Sequence, residues 1–203
     1  MDMSVPTEPG IRLVAVLGTV RPGNYTSRAL ALVVDEIKRR PEIHLDVVDP
    51  AELSLPFPGH DDGQAGPKRL REIVSQASGV IFATPEYHGS FSSVTKLIIE
   101  NLGFPSALAG KPVSLLGVAA GQIGAIKSLE ALASVCTHVG AIVLPGAVSV
   151  AGVQQVFDSS GHCRDQAVEK RIRTVATNLI DYIHGSICPR IALEAMVRGS
   201  VQV

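Results

Sequence analysis

Short apolar runs alternate with amphipathic helical segments along this 203-residue chain. The runs end in turn-forming residues, which is typical of strands that are buried on both faces of a sheet. They span residues 11–17, 79–83, 111–119 and 141–144, with 146–150 as an extension of the last run. Residues 43–49 alternate partly and are short, which predicts a second strand nearer the sheet edge. Helical spacing of apolar residues begins near positions 27, 68, 93, 126 and 167. This pattern predicts an α/β fold, a doubly wound parallel sheet of five strands in the order 2-1-3-4-5 with helices on both faces.

The predicted strands divide the chain into three parts. Residues 1–10 contain two prolines and no periodic pattern, so a flexible N-terminal tail is expected. Residues 11–184 hold every predicted strand and are expected to form one domain. Residues 185–203 form a C-terminal extension, predicted to be a short helix that packs on this chain or on a neighbouring subunit.

Composition limits the classes of function. Hydrophobic residues make up 46% of the chain, which suits a buried sheet. The formal net charge of -1 provides no field that would attract nucleic acid or an anionic membrane. No apolar stretch has the length of a membrane span, and no secretion signal is recognised. The cysteines are odd in number and lack metal-clip spacing, which favours a reduced, cytoplasmic protein: Cys136, Cys163 and Cys188.

Two segments follow strands at the edge where ligands of open α/β sheets bind. Residues 19–27 combine hydroxyls, a guanidinium and the start of a helix, which is the composition of a phosphate-binding loop. The same hydroxyls could instead serve only to cap the helix. Residues 84–90 are predicted to be the loop that leaves the third strand, either a plain connection or a site for a flat ligand. The absence of G-x-G-x-x-G and Walker patterns favours a mononucleotide ligand.

Three motifs resemble those of the NAD(P)H-dependent FMN reductase family of flavodoxin-like proteins, over about residues 11–184. They are Gly18-Thr19-Val20-Arg21-Pro22-Gly23-Asn24-Tyr25-Thr26, Thr84-Pro85-Glu86-Tyr87-His88-Gly89-Ser90 and Ala120-Gly121-Gln122-Ile123-Gly124. The middle motif is the most specific, because the family typically has P-E-Y-N-G-S there. The resemblance implies a flavodoxin-like fold.

The same resemblance implies which residues bind FMN. The phosphate would be held by Thr19, Arg21, Asn24, Tyr25 and Thr26. The isoalloxazine ring would be lined by Pro85, Glu86, Tyr87, His88, Gly89 and Ser90. The ring's other edge would meet backbone groups of a third loop, with Ala120, Gly121 and Gly124. His88 stands where the family usually has Asn, and it either titrates near the flavin or acts as a neutral hydrogen-bonding residue.

The implied activity is an FMN-dependent NAD(P)H oxidoreductase, with NADPH or NADH as donor and a flavin, quinone, azo compound or metal oxyanion as acceptor. No catalytic side chain is expected, because the flavin carries the chemistry. No metal site is expected either: Asp61 and Asp62 should be solvated, and Cys136 should lie in the core.

Two alternatives to this enzyme remain, a flavodoxin-type electron carrier and a flavin-free module with the same fold. The small net charge and the 4% aromatic content disfavour a carrier, because such proteins are usually acidic and cover the flavin with aromatic residues. The family resemblance also implies a homodimer or homotetramer. Its contact surfaces would be the helix after Glu86-Tyr87 and the C-terminal segment.

Overall fold

In the described part of the chain, a seven-stranded sheet is covered by helices on both faces. The computed structural model describes residues 10–60 and 65–200. The strands are β1 (Arg12–Leu17), β2 (His44–Val48), β3 (Gly79–Tyr87), β4 (Ser90–Phe91), β5 (Pro112–Val118), β6 (Ile142–Val143) and β7 (Val148–Val150). The helices are α1 (Tyr25–Lys38), α2 (Ala65–Ser75), α3 (Ser93–Glu100), α4 (Ile126–His138), α5 (Val153–Val156), α6 (Gln166–Tyr182) and α7 (Cys188–Ser200).

The main strands run parallel in the order β2-β1-β3-β5-β6. The short strands β6 and β7 both pair with β5, so together they occupy one position that is interrupted near Pro145. Strand β4 pairs antiparallel with the end of β3. With β4 set aside, the sheet has the predicted order 2-1-3-4-5, and β2 lies at an edge.

The sheet separates two apolar cores, and alternation along each strand decides which core a side chain enters. In β1, Leu13 packs with α1 and α6, whereas Val14 packs with α2, α3 and α4. In β3, Ile81 and Phe82 divide in the same way. Because both faces are covered there, the inner strands β1, β3 and β5 are mainly apolar in sequence, whereas the edge strand β2 contains His44 and Asp46.

One prediction was wrong: residues 84–90 do not form a loop. Strand β3 continues to Tyr87, since Thr84 and Pro85 remain in register with β5. Glu86 and Tyr87 then pair with β4, so the segment is a strand end and a tight hairpin. The apolar run stops at Ala83. Beyond it the strand continues through backbone hydrogen bonds to its neighbours, and an apolar sequence pattern does not indicate such bonds.

The C-terminal segment continues α6. A π-helical turn over Ile183–Ile187 leads directly into α7, in agreement with the predicted helix. Several apolar side chains of α7 are 46–68% exposed: Ile191, Leu193, Met196 and Val197. The predicted tail at residues 1–10, except Gly10, and the pair Asp61-Asp62 lie outside the described residues.

Within residues 10–60 and 65–200, no helix combines the length and apolarity that a bilayer crossing requires. The same ranges contain no group of three or more His, Cys, Asp or Glu side chains placed to hold a metal ion. Cys136 is fully buried, as predicted, and burial raises the pKa of its thiol to about 12. Such a thiol is not a nucleophile at neutral pH.

Candidate cofactor site

The first loop connects β1 to α1 and is organised by its own side chains. Asn24 is the N-cap of α1: its amide oxygen accepts from the Ser27 N–H at 2.6 Å, and its amide nitrogen donates to the Arg21 carbonyl at 2.6 Å. The Thr19 hydroxyl accepts from the Arg21 N–H at 3.2 Å. These bonds make α1 begin at Tyr25, two residues before the predicted start, and they leave the exposed Arg21 guanidinium at the rim.

The hairpin between β3 and β4 turns at His88 and Gly89. Their φ angles are 53° and 75°, the two positive values that a type I′ turn requires. His88 is the one non-glycine residue with positive φ among the described residues. Asn is the favoured residue at this position of such turns, and His is also enriched in the left-handed region. At this position, which the family usually fills with Asn, the positive φ of the turn therefore restricts the type of residue.

A buried set of hydroxyls lies beneath the first loop and the hairpin. Ser92 caps α3 by accepting from the Thr95 N–H at 3.0 Å, and its hydroxyl donates to the Gly18 carbonyl. Thr84 accepts from the Ser92 N–H and from the Thr95 hydroxyl, both at 3.2 Å. The Gly18 N–H donates to the Ala83 carbonyl at 2.7 Å. These contacts join the end of β1 to the end of β3, and the sequence analysis did not identify Ser92 or Thr95 as part of the site.

The third loop connects β5 to α4. Ala120 and Gly121 are exposed, and no atom lies within 4 Å of the position that a Cβ on Gly121 would take. The loop closes with a bond from the Gly124 N–H to the Gly121 carbonyl at 3.2 Å. The Ser149 hydroxyl of β7 accepts from the Ala125 N–H at 2.8 Å and fixes the start of α4. Ser149 could not be found from the sequence, because its partner is 24 residues away.

Two contacts of the hairpin connect the three loops. The Arg21 guanidinium carbon lies 5.5 Å from the ring centroid of Tyr87, which is a cation–π contact between the first loop and the hairpin. The Glu86 Oε2 accepts from the Ser128 N–H at 3.1 Å, which joins the hairpin to the first turn of α4. The fourteen predicted site residues therefore belong to three connected segments at the carboxyl edge of the sheet.

Not all of these residues present a free side chain there. Thr26 and Pro85 are buried. Tyr25 packs against Phe157, with ring centroids 6.5 Å apart, and the Arg28 guanidinium lies 5.1 Å from its ring. The Asn24 side chain is engaged in capping. Any ligand contact of these four residues would fall chiefly to their backbone groups.

The donors of the first loop fit a phosphate monoester. The first N–H groups of a helix have no partner within the helix, and the helix dipole favours an anion there. The exposed Arg21 adds a permanent positive charge beside the start of α1. The third loop offers exposed backbone and open space at Gly121, which fits a flat ring. The residues present thus match the two halves of FMN.

A cavity of about 440 Å³ lies elsewhere, between α1 and β2. Its floor is apolar, with Leu30, Val34 and Val47, and its charged side chains are Asp35, Lys38 and Asp49. The Asp49 carboxylate already accepts from the Ala51 N–H at 2.9 Å. The lining also includes the Ser27 hydroxyl and the Lys38 ammonium, but the two carboxylates beside them disfavour a phosphate, so the first loop, the hairpin and the third loop remain the candidate site.

Comparisons with solved structures define the fold. FerB, a flavoenzyme NAD(P)H:(acceptor) oxidoreductase from Paracoccus denitrificans, superposes with a TM-score of 0.72 at 19% identity, over 86% of this chain and 98% of that chain. An archaeal flavodoxin superposes with a TM-score of 0.61 at 11% identity, over 86% and 99% of the two chains. The fold is therefore flavodoxin-like, as predicted.

Sequence comparison then identifies the family. The family described as NADPH-dependent FMN reductase matches residues 11–155, and the chain belongs to it. An NAD(P)H-dependent FMN reductase of Pseudomonas aeruginosa is 28% identical over 80% of this chain and 90% of its own length. An NADPH azoreductase of Bacillus sp. is 30% identical over 70% and 78%. The predicted family is confirmed, and with it an FMN-dependent NAD(P)H oxidoreductase.

Proposed function

We propose that the first loop, the hairpin between β3 and β4, and the third loop, all at the carboxyl edge of the sheet, form the FMN site of this oxidoreductase. The contact between Arg21 and Tyr87 carries the proposal, because it brings the predicted phosphate ligand within 5.5 Å of the predicted ring-lining hairpin. When bound at these residues, FMN would supply the redox chemistry of hydride and electron transfer between NAD(P)H and an acceptor. The protein binds and orients the cofactor.

The first loop binds the phosphate in this proposal. Arg21 provides a charge-assisted contact, and the first turn of α1 provides backbone N–H groups. The Thr19 hydroxyl is buried and bonded within the loop, so its part is to hold the loop in shape while its proton remains available to the phosphate. Asn24 acts by capping α1, which orients the same N–H groups.

The hairpin and the third loop hold the ring. The Tyr87 ring is 39% exposed at the edge of the sheet, and the backbone of His88 and Gly89 forms the turn beside it. The third loop offers the exposed main-chain groups of Ala120 and Gly121, whereas Gly124 is buried and its N–H closes the loop on the Gly121 carbonyl. Exposed Ile123 lies in this loop and gives the rim an apolar character suited to a flat, uncharged acceptor.

Arg21→Ala tests the site. Losing a charge-assisted contact worth about 1.5–3 kcal/mol should weaken FMN binding by about 10- to 150-fold. Riboflavin has the same ring without the phosphate, so its affinity should change far less. Arg69→Ala removes an exposed arginine from α2 and is the matched control. If Arg21→Ala binds FMN as tightly as the wild type does, the phosphate assignment is wrong.

Anaerobic titration of the FMN-loaded protein with NADH and separately with NADPH tests the reaction. Bleaching of the flavin absorbance by either donor is the expected result and ranks the two donors. Bound FMN that neither donor bleaches would favour the electron carrier, and a protein that binds no FMN would keep only the fold. For the acceptor we propose a quinone or azo compound, and relatives named as azoreductases support the azo compound.

We also propose that the domain of residues 11–184 assembles into a homo-oligomer through the extension that starts at residue 185. Support comes from α7, whose exposed apolar side chains include Ile191, Leu193 and Val197. Light scattering of the intact protein tests this, and the mass of a single chain would contradict it. A cytoplasmic location is proposed from the three unpaired cysteines.

A further inference from the structure

We propose that Glu86 is a positioning residue, whose carboxylate holds the first turn of α4 and thereby the third loop beside the flavin ring. The inference rests on the proposed FMN site and refines it. The family resemblance places Glu86 among the residues that line the ring. The structure instead directs its carboxylate to a backbone N–H on another element.

The contact has the geometry of a helix cap supplied from outside the helix. Ser128 is the third residue of α4, and its N–H donates to Glu86 Oε2 at 3.1 Å. An N-cap side chain normally accepts from the second or third N–H of its helix. The N-cap position of α4 is Ala125, whose side chain makes no cap bond. Glu86 therefore replaces the missing cap, and its negative charge also suits the helix N-terminus.

The direction of the Glu86 side chain follows from strand alternation. Successive side chains in a strand point to opposite faces of the sheet. Phe82 of β3 packs in the core formed with α4, whereas Ile81 packs in the core formed with α1. Glu86 lies four residues after Phe82, so its side chain points to the same face, toward α4. Tyr87 points to the opposite face, as Ile81 does, and there it contacts Arg21 of the first loop. The hairpin thus holds both neighbouring loops through adjacent residues.

The third loop depends on this contact because α4 follows it without a break. On one side, the Ala125 N–H is bonded to the Ser149 hydroxyl of β7 at 2.8 Å. On the other side, the Ser128 N–H is bonded to Glu86 of β3. The helix start is therefore held between two strands that flank β5. Removing Glu86 loses the hydrogen bond that ties the helix start to β3 and leaves the bond to β7 and the apolar packing of α4, so the ring-binding arrangement becomes less populated and apparent FMN affinity falls.

The test measures protection of the Ser128 amide in the apoprotein and, separately, the affinity of each protein for FMN. Hydrogen exchange of the Ser128 amide is followed in the intact apoprotein of the wild type, Glu86→Ala, Glu86→Gln and Glu130→Ala. Glu130 is an exposed carboxylate on the same helix and is the matched control. Loss of a helix cap corresponds to about a fivefold change in an equilibrium constant. In Glu86→Ala the Ser128 amide should therefore exchange about fivefold faster than in the wild type, and the affinity for FMN should fall about fivefold. Glu86→Gln retains an acceptor oxygen and should stay within about twofold of the wild type in both measurements.

Three results would overturn the proposal. Unchanged Ser128 exchange in Glu86→Ala would show that the contact does not hold the helix. Equal loss of FMN affinity in Glu86→Ala and Glu86→Gln, with Ser128 still protected, would show that the carboxylate contacts the flavin directly. Wild-type FMN affinity in Glu86→Ala would show that the third loop does not need the contact. A wild-type protein that binds no FMN at all would instead refute the proposed function, a separate outcome. If Glu86→Ala fails to fold, a loss of FMN affinity in Glu86→Gln with Ser128 still protected refutes the proposal by itself.

Discussion

Gly18→Ala is expected to destabilise the protein severely, because the end of β1 passes directly against β3 and α3. A Cβ at this position would overlap the Thr95 hydroxyl and would lie 2.7 Å from the Ala83 carbonyl oxygen. Real Cβ atoms do not approach backbone oxygens so closely. The Ala83 carbonyl belongs to a paired strand and accepts the Gly18 N–H, so it cannot simply move aside.

The expected cost is the sum of two effects. Overpacking a well-packed site costs about 1–3 kcal/mol. Displacing the chain also weakens the bond from the Ser92 hydroxyl to the Gly18 carbonyl, a further contribution of about 1 kcal/mol. The free energy of unfolding should therefore fall by about 2–4 kcal/mol, a large fraction of the total for a typical domain.

Urea unfolding of the apoprotein, followed by far-UV circular dichroism, measures this change without the complication of bound flavin. Gly121→Ala is the matched substitution, since no atom lies within 4 Å of its Cβ position and its φ is not positive. It should leave stability unchanged or raise it by about 0.4–1 kcal/mol. If Gly18→Ala unfolded within about 0.5 kcal/mol of Gly121→Ala, the close packing inferred for the strand ends would be wrong.

Two further predictions concern the hairpin and the outer helices. His88→Asn should raise the free energy of unfolding by about 0.5 kcal/mol because Asn tolerates the positive φ better, and His88→Val should lower it. Equal thermal midpoints of unfolding for the two variants would contradict the turn assignment. A hydrogen bond from Arg173 holds the pKa of Asp35 below its usual value, so its stabilisation is present above about pH 4 and is lost as pH falls through the lowered pKa. In the wild type, the free energy of unfolding should fall by roughly 0.5 kcal/mol as the pH drops through this range, a value reduced for solvent screening. Asp35→Asn should lack this fall, and a pH dependence of unfolding equal to that of the wild type would count against the pairing.

The fold could be predicted because its inner strands are apolar on both faces. The alternation of runs and helical segments indicated the main strands and their order, and the two cores explain why those runs are uninterrupted. The same criterion failed at residues 84–87. Thr84 to Tyr87 belong to β3 by backbone pairing with β5 and β4, and that pairing has no apolar signature.

The candidate site was predicted only in part. The motifs indicated the segments that meet at the carboxyl edge, because the ends of parallel strands lie together. They did not indicate that Asn24 is used as a cap or that Tyr25 packs on Phe157. They also did not indicate Ser92, which joins the first loop to β3 across 74 residues of sequence.

The sequence by itself determined the type of fold, the family and the three segments of the site, because these depend on local periodicity and on contiguous motifs. Only the tertiary structure decided what each side chain does there. The carboxylate of Glu86 and the N–H of Ser128 are 42 residues apart, and they meet because β3 and α4 pack against each other. Hydrogen bonds between distant residues depend on distances of a few tenths of an ångström, and these distances are set by packing rather than by sequence order.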